Sequence, residues 1–154
     1  MKILVISDIH GLISYAERMI EREQPDEVIF LGDGYRDIKE TARFYKSARF
    51  HLVGGNCDFY SDNEEQFITL GGKNIFFTHG HRYNVKMERQ LNYITLRAHA
   101  ADLGADIVLF GHTHTPDTVY MNGMVMMNPG AVMAGKYGVV EINGEEVKTE
   151  LKSL

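Results

Sequence analysis

The chain has 154 residues, of which 44% are hydrophobic and 24% are charged, and its formal net charge is −5 with neutral histidines. This length fits one ordinary domain over 1–154, and the composition is that of a globular protein, not of a disordered chain. The acidic balance, with no stripe of Lys and Arg, disfavours tight binding of extended nucleic acid.

Cysteine content and hydropathy bear on the compartment. Cys57 is the only cysteine, which excludes an internal disulfide and gives no sign of an oxidising compartment. The apolar run in MKILVISDIH is too short for a signal peptide, so we interpret it as a buried first strand. No segment approaches the roughly 18 apolar residues that cross a bilayer. We therefore expect a cytoplasmic protein with no membrane partner.

The first part of the chain alternates strand and helix patterns. Apolar, β-branched runs at 2–7, 27–31 and 49–53 predict three buried strands. Between them, the spacing of apolar side chains predicts helices over 12–23 and from about 37 to 45. Such βαβαβ alternation predicts a parallel sheet with right-handed crossovers.

After Gly54 and Gly55 the pattern changes. Two strand-like runs, 65–70 and 74–78, are separated by Gly71-Gly72-Lys73 and predict a hairpin. A long helix is predicted over 87–103, and 106–110 is predicted to be another buried strand.

The last third of the chain is predicted to be antiparallel. Asn122-Gly123 and Asn143-Gly144 each lie between β-rich runs, and both pairs are typical of type I′ turns. The complete pattern predicts a mixed sheet at the front and hairpins at the back, as two packed sheets with helices outside.

Five short motifs follow predicted strands and are rich in metal-binding side chains. Each motif alone is weak, because Asp8 could cap a helix, Asp33 could be an ordinary turn residue, and a lone His79 is more often structural. The loops that leave the carboxyl ends of parallel strands share one edge of a sheet, so these side chains should meet there. The motifs are Asp8-Ile9-His10, Gly32-Asp33, Gly55-Asn56-Cys57-Asp58, Thr78-His79-Gly80-His81 and Gly111-His112-Thr113-His114.

These motifs offer seven ligand-capable side chains with mixed oxygen and nitrogen donors. Such a set suits a pair of Mn, Fe, Zn, Co or Ni ions better than Mg or Ca, which prefer oxygen throughout. A structural zinc site is disfavoured because it would use several Cys. Asp33 can bridge two ions, and the alternation of His112 and His114 lets each reach a different one. Two ions about 3.5 to 4 Å apart clamp a phosphoryl group and generate hydroxide.

The ordered set D-x-H, G-D, G-N-x-D, H-G-H and G-H-T-H, between Asp8 and His114, resembles the calcineurin-like metallophosphoesterase superfamily. The short chain, the G-N-C-D form and Asn128-Pro129-Gly130 resemble its small bacterial and archaeal phosphodiesterase branch. The resemblance implies an α/β fold, a four-layer α/β/β/α sandwich of two mixed β-sheets flanked by helices.

The resemblance also implies a ligand assignment for two divalent transition-metal ions. Mn is the first choice, with Fe, Ni, Co or Zn as alternatives, and a water or hydroxide bridging the ions would attack phosphorus in line. The implied ligands are Asp8, His10, Asp33 and His114 for the first ion, and Asp33, Asn56, His79 and His112 for the second.

The chain departs from the family pattern at Cys57. Many members have a histidine there, thought to protonate the leaving group and to be oriented by the next acidic residue. Cys57 is either a small packing residue or the sign of a weak or absent general acid, with Asp58 ordering the loop. His81 could contact substrate phosphate or fix a ligand, or it could be structural. We name Asn56, Asp58 and His81 as candidate catalytic residues.

Two classes of function follow from these observations. The first is a phosphodiesterase that uses a dinuclear metal centre to hydrolyse a small phosphodiester or nucleotide. The alternative is a non-catalytic protein-binding scaffold that reuses the fold, as the retromer subunit resembling this family does. DNA processing ranks last, because break-repair nucleases carry added domains and basic surfaces. The expected partner is a small-molecule phosphate ester, and self-association as a homo-oligomer stays open.

Overall fold

Three α-helices and ten strands form the fold. In the computed structural model, which describes residues 1–154, the longest helix has 11 residues, and no helix combines the length and apolar content needed to span a membrane. The helices are α1 (Ile13–Glu23), α2 (Tyr35–Thr41) and α3 (Ile94–Asp102). The strands are β1 (Lys2–Ile6), β2 (Glu27–Phe30), β3 (Arg49–Leu52), β4 (Glu65–Leu70), β5 (Lys73–Thr78), β6 (Ile107–Phe110), β7 (Asp117–Met121), β8 (Met124–Asn128), β9 (Lys136–Asn143) and β10 (Glu146–Ser153).

The strands form two mixed sheets of five. The first has the order β10-β9-β1-β2-β3, and its members β1, β2 and β3 are parallel, as the sequence predicts. The second has the order β4-β5-β6-β8-β7, with β5, β6 and β8 parallel. Antiparallel neighbours complete both sheets, namely β9 and β10 in the first and β4 and β7 in the second.

Alternation along β1 explains the layers. Ile3 and Val5 belong to a cluster of 13 buried residues between the two sheets, whereas Leu4 and Ile6 pack on the other side, against α1 and α2. On the far side of the second sheet, α3 contributes Leu96 to a third cluster. Strands that are covered on both faces have continuous apolar sequences. The result is the predicted four-layer α/β/β/α sandwich.

One edge of the sandwich collects the ends of the parallel strands. In register, Ile6 pairs with Phe30 and Phe30 with Leu52, so β1, β2 and β3 end at the same level. In the second sheet, Thr78 of β5 pairs with Phe110 of β6. We call this the carboxyl edge and the opposite one the amino edge. All five predicted motifs lie at the carboxyl edge, and four of them begin in a loop, while the fourth along the chain begins at Thr78, the last residue of β5.

The long helix predicted over 87–103 is wrong. The structure has a short 3₁₀ turn at Arg89–Leu91, a break, and then α3. The break falls at Asn92 and Tyr93, whose φ values are 51° and 52°. Tyr93 is fully buried, its ring packs 4.5 Å from that of Phe110, and its hydroxyl donates to Asp117. Long-range anchoring of this tyrosine therefore overrides the local helical pattern.

The second helix also differs from its predicted bounds of about 37 to 45. It starts earlier, at Tyr35, because the Asp58 carboxylate accepts the N–H groups of Gly34 and Tyr35. The α-helix ends at Thr41. A 3₁₀-type turn follows, in which the N–H of Phe44 donates to the Thr41 carbonyl three residues back.

One of the two type I′ turns is confirmed. Asn122 and Gly123 both have positive φ, 54° and 78°, as type I′ requires. In the second hairpin, Asn143 pairs with Glu146 as the last residue of β9. The loop is therefore Gly144 and Glu145, and only Gly144 has positive φ, which excludes type I′.

Candidate metal centre

The loops at the carboxyl edge hold charged and imidazole side chains on strained backbone. Five candidate ligands adopt left-handed φ angles: Asp8 at 57°, His10 at 44°, Asp33 at 61°, His112 at 67° and His114 at 59°. Each such residue costs on the order of 1 to 3 kcal/mol. Backbone bonds between loops maintain the geometry, because Asp8 donates its N–H to the Gly32 carbonyl and Ile9 to that of Asp33. Strain of this kind concentrates at functional sites.

A first group of four side chains converges at this edge. One ligand atom each from Asp8, His10, Asp33 and His114 lies within 4.8 Å of all the others. The Nε2 atom of His114 is 3.0 Å from Asp8 Oδ1, and His10 Nε2 is 3.6 Å from Asp33 Oδ2. Both carboxylates are buried, whereas both imidazoles are exposed. In this group, the carboxylates are therefore buried and the imidazoles are accessible to solvent.

A second group forms around the buried His79. Its Nε2 atom is 3.0 Å from Asn56 Oδ1, 3.2 Å from His112 Nδ1 and 3.6 Å from Asp33 Oδ2. The same Asp33 oxygen lies 3.6 Å from His10 Nε2 of the first group. Asp33 Oδ2 is thus the one carboxylate atom that both groups share.

Hydrogen bonding fixes the tautomer of His79. Its Nδ1 atom is 2.7 Å from the Leu31 carbonyl, which can only accept, so Nδ1 carries the proton. In the neutral ring, Nε2 then presents a lone pair to Asn56 Oδ1 and Asp33 Oδ2, which are acceptors too. Neither oxygen can donate to this lone pair, and a cation bound between them would satisfy all three atoms.

An unpaired oxygen in the first group leads to the same conclusion. Asp8 Oδ1 is fully buried and has no hydrogen bond, although His114 Nε2 is 3.0 Å away. A buried carboxylate oxygen without a donor is costly. A divalent cation would satisfy this oxygen, so the residues present fit metal ions in both groups.

Protonation states also suit metal binding. Burial, with the neighbouring His79, lowers the pKa of His112 to about 4. Burial alone would raise the pKa of Asp33, but the N–H of Cys57, at 2.9 Å, and the nearby His79 outweigh it and leave that pKa below its usual range. Both side chains are therefore in the unprotonated form that metals require at neutral pH.

Asp58 orders the loops around the site. Its carboxylate accepts four backbone N–H groups, from Asp33 at 2.8 Å, Gly34 and Tyr35 at 3.0 Å, and Gly55 at 2.8 Å. These bonds tie the loop after β3 to the loop after β2. The arrangement leaves little of the carboxylate free to orient another side chain.

Cys57 and His81 lie beside the two groups. The Cys57 side chain is exposed and belongs to no packed core, and its sulfur accepts a hydrogen bond from Asn56 Nδ2 at 3.4 Å. Partial burial and the Asp33 carboxylate raise the pKa of the thiol, which stays protonated. The half-buried ring of His81 is 5.5 Å from that of His79, and its Nδ1 atom is buried without a partner.

Sequence reasoning missed the positioning role of Asn128. Its Nδ2 atom donates to the Gly111 carbonyl at 2.8 Å and to Thr113 Oγ1 at 2.9 Å, and so holds the loop that carries His112 and His114. Its Oδ1 atom accepts the N–H of Gly130. The only sequence signal was an Asn-Pro-Gly run after an apolar strand, which by itself predicts a turn.

Cavity size does not locate this site. The largest cavity, about 410 Å³, lies at the amino edge around the turn at Asn122 and Gly123 and contains no candidate ligand. A smaller one of about 240 Å³ is lined by His10, Asp33 and Cys57 among others. Convergent ligand atoms, and not volume, distinguish the smaller cavity as the candidate metal site.

Comparisons with known proteins agree with the geometry. A family model described as the calcineurin-like phosphoesterase superfamily domain matches residues 1–144. The chain is 33% identical to Probable metallophosphoesterase YsnB of Bacillus subtilis, over 86% of this chain and 75% of that protein. It is 28% identical to the phosphodiesterase YfcE of Escherichia coli, over 90% of this chain and 83% of that one.

Solved structures share the fold. A predicted phosphoesterase from Streptococcus pneumoniae superposes with a TM-score of 0.80 at 27% identity, over 99% of this chain and 88% of that one. Vps29 from Entamoeba histolytica, crystallised with Zn²⁺, gives a TM-score of 0.77 at 24% identity, over 99% of each chain. The Vps29 likeness concerns the fold alone.

Proposed function

The chain belongs to the calcineurin-like phosphoesterase superfamily, and from that premise we propose that it is a metal-dependent phosphodiesterase of small phosphodiesters or nucleotides. One observation carries the proposal: seven candidate ligands form two groups that share Asp33 Oδ2, at 3.6 Å from His10 Nε2 and from His79 Nε2. A carboxylate oxygen in that position can bridge two ions. A relative named as a phosphodiesterase supports the diester preference.

Two divalent ions complete the proposal, with Mn²⁺ first and Fe, Ni, Co or Zn as alternatives. When bound, such ions polarise the phosphoryl oxygens and lower the pKa of a water so that hydroxide is available near neutral pH. A cytoplasmic location is part of the proposal, and the single free thiol fits it. The proposed ligands are Asp8, His10, Asp33 and His114 for one ion, and Asp33, Asn56, His79 and His112 for the other.

Residues of the chain hold these ligands in place before substrate arrives. The Leu31 carbonyl orients His79, the Cys57 N–H orients Asp33, and Asn128 holds the loop of His112 and His114. Removing a residue that orients a metal ligand typically lowers activity or metal affinity about 10- to 100-fold. Because the ligands are already held in position, their reorganisation adds no cost to the barrier of the reaction step.

Protonation of the leaving oxygen is the weak step in this site. The Cys57 thiol is a poor proton donor because its pKa is raised, and Asp58 is engaged by four backbone N–H groups. The proton then comes from solvent, so esters with acidic leaving groups should react fastest.

A second candidate is the protein-binding scaffold, which the fold likeness to Vps29 favours. A scaffold needs no aligned set of ligands, whereas here each position of both groups holds a side chain able to bind a metal. A measurement of phosphoester hydrolysis distinguishes the two candidate functions, because only the enzyme would have this activity.

The test is metal reconstitution followed by an activity screen across diesters, monoesters and cyclic nucleotides. We expect two transition-metal ions per chain by elemental analysis, anomalous scattering at both groups, and the highest kcat/KM on a nitrophenyl diester. Phe44→Ala, a change at an exposed residue that is not a candidate ligand, is the control and should behave as wild type. Well-reconstituted protein that binds no metal at Asp8, Asp33, His79 and His112 would refute the proposal.

A further inference from the structure

A groove of about 340 Å³ runs along α2 beside the candidate metal centre. Its walls include Arg36, Cys57 and Asp58, and these three residues also line the cavity that contains His10 and Asp33. The two spaces are therefore adjacent and share a wall. A substrate whose phosphodiester lies at the metal centre can extend an organic arm into the groove.

Two aromatic rings stand in this groove with almost no contact to the rest of the protein. Phe59 is 90% exposed and Tyr60 is 95% exposed. Neighbouring aromatic side chains of this size, held in water next to a reactive site, indicate a ligand with a flat apolar surface.

The loop that carries the rings is anchored on both sides. Asp58, directly before Phe59, accepts four backbone N–H groups. Asp62, two residues after Tyr60, accepts the Tyr35 hydroxyl at 2.6 Å and Lys39 Nζ at 2.8 Å. The rings are thus presented from a constrained backbone and not from a long free loop.

Three cations also line the groove, together with the carboxylates of Glu40 and Asp58. Arg36 and Lys39 lie three residues apart on α2, and Arg43 lies two residues beyond its last residue. Lys39 is engaged by Asp62, and Arg36 meets Glu40 at 3.6 Å between two highly exposed side chains, a weak pair. Arg43 has no acidic partner within salt-bridge distance. A planar guanidinium free of carboxylates is well suited to a phosphate.

We propose that this groove binds a nucleotidyl arm of the substrate, with the base on Phe59 and Tyr60 and a second phosphate on Arg43. The inference rests on the proposed function and names its substrate class: a short nucleotidyl phosphodiester that carries an additional phosphate. The net charge of −5 and the limited groove volume favour one or two nucleotides over a long strand.

The test uses three esters with one leaving group, p-nitrophenol, and arms that grow stepwise. Methyl p-nitrophenyl phosphate has no base, thymidine 5′-(p-nitrophenyl phosphate) adds one, and its 3′-phosphate derivative adds the second phosphate. For the wild-type enzyme loaded with Mn²⁺, kcat/KM should rise at each step.

Two groove variants should each remove one step. The double variant Phe59→Ala/Tyr60→Ala should lose roughly 5- to 100-fold in kcat/KM for both nucleotide esters, mainly through KM. Arg43→Gln should lose about 10-fold only for the 3′-phosphorylated ester. For the methyl ester both variants should stay within about twofold of wild type. Equal losses on all three esters would overturn the groove assignment.

Control variants separate a local role from a general surface effect. Phe44→Ala changes an aromatic residue that is 83% exposed outside the groove, and Arg18→Gln changes a cation on α1. Neither should alter the order of the three esters. A control that matches the loss of its groove counterpart would count against the proposal.

Binding without turnover distinguishes failure of this inference from failure of the proposed function. Saturation-transfer NMR with thymidine 3′,5′-bisphosphate, compared with deoxyribose 3,5-bisphosphate, should show contact to the base protons that disappears in Phe59→Ala/Tyr60→Ala. If no ester is hydrolysed but this contact is seen, the groove assignment stands and the enzyme proposal falls. If esters are hydrolysed and the contact is absent or unchanged by the variant, only the groove assignment falls.

Discussion

The two edges of the sandwich use the same backbone conformations with different side chains. At the amino edge, the left-handed positions of the turn between β7 and β8 are Asn122 and Gly123, which tolerate them well. At the carboxyl edge, such positions are taken by Asp8, Asp33 and His112 among the candidate ligands. The candidate ligands therefore bear more backbone strain than the residues of this turn.

Buried polar atoms show a second contrast. Four side-chain atoms near the carboxyl edge are buried without a hydrogen bond: Ser7 Oγ, Asp8 Oδ1, Glu64 Oε2 and His81 Nδ1. Glu23, buried at the end of α1, is instead satisfied by the Tyr137 hydroxyl at 2.8 Å and by Lys152 Nζ at 3.2 Å. Unsatisfied polar atoms therefore concentrate near the carboxyl edge.

The largest expected effect is a loss of activity, and it compares two residues of the carboxyl edge, the shared ligand Asp33 and the neighbouring His81. Asp33→Asn removes the shared carboxylate charge and should lower kcat by on the order of 1,000-fold or more. His81→Ala removes a ring beside the ligands and should cost only about 10- to 100-fold. The measurement is kcat at saturating metal for both variants. Equal losses would contradict the assignment of Asp33 as the shared ligand.

The next effect is on stability and compares one glycine from each edge. Gly32 has φ of 105°, and an added Cβ would lie 2.6 Å from Gly55 N and 2.8 Å from His79 Nδ1. Gly32→Ala should therefore destabilise the protein by about 2 to 5 kcal/mol. At Gly123, with φ of 78°, the Cβ would meet open space, and Gly123→Ala should cost about 1 kcal/mol. Urea unfolding of both variants checks this, and a smaller loss at Gly32 would break the comparison.

Metal addition should stabilise the folded chain through ligands at the carboxyl edge. Ions that bind only the folded chain add about 2.7 kcal/mol at a concentration of 100 times Kd, or roughly 5 to 10 °C in Tm for a chain of this length. Asp33→Asn should lose most of this shift because its carboxylate contributes to both groups. Gly123→Ala should keep all of it. Calorimetry with and without a chelator is the measurement, and an equal shift in both variants would argue against the shared ligand.

The smallest effect is expected at Cys57. Cys57→Ala should change kcat/KM by less than about threefold, because a thiol that stays protonated is a weak acid catalyst. Cys57→His should raise kcat/KM only modestly for esters with poor leaving groups. Asp58 already accepts four backbone N–H groups and is not free to orient the new imidazole. The test is kcat/KM against leaving-group pKa for the three proteins. A loss with Cys57→Ala as large as that with Asp33→Asn would give the thiol a direct role.

Local sequence patterns determined much of this architecture. The strands of both sheets were predictable because runs such as 2–7 and 106–110 are apolar and β-branched, and turn residues separate the hairpins. The order of the motifs and the rule that parallel strands end at one edge also placed the candidate ligands together. These features depend on spacing along the chain, which a single sequence displays directly.

Other features depend on residues far apart in sequence, and only the tertiary structure decided them. Helix α2 starts at Tyr35 because Asp58 caps it, and the predicted helix over 87–103 breaks where Tyr93 reaches Asp117. The tautomer of His79 is set by the Leu31 carbonyl, 48 positions away. A local conformational preference contributes a few tenths to about 1 kcal/mol to stability. The burial or hydrogen bonding in each of these contacts contributes more and overrides it. No local pattern records such a contact, because the partners become neighbours only when the sheets have formed.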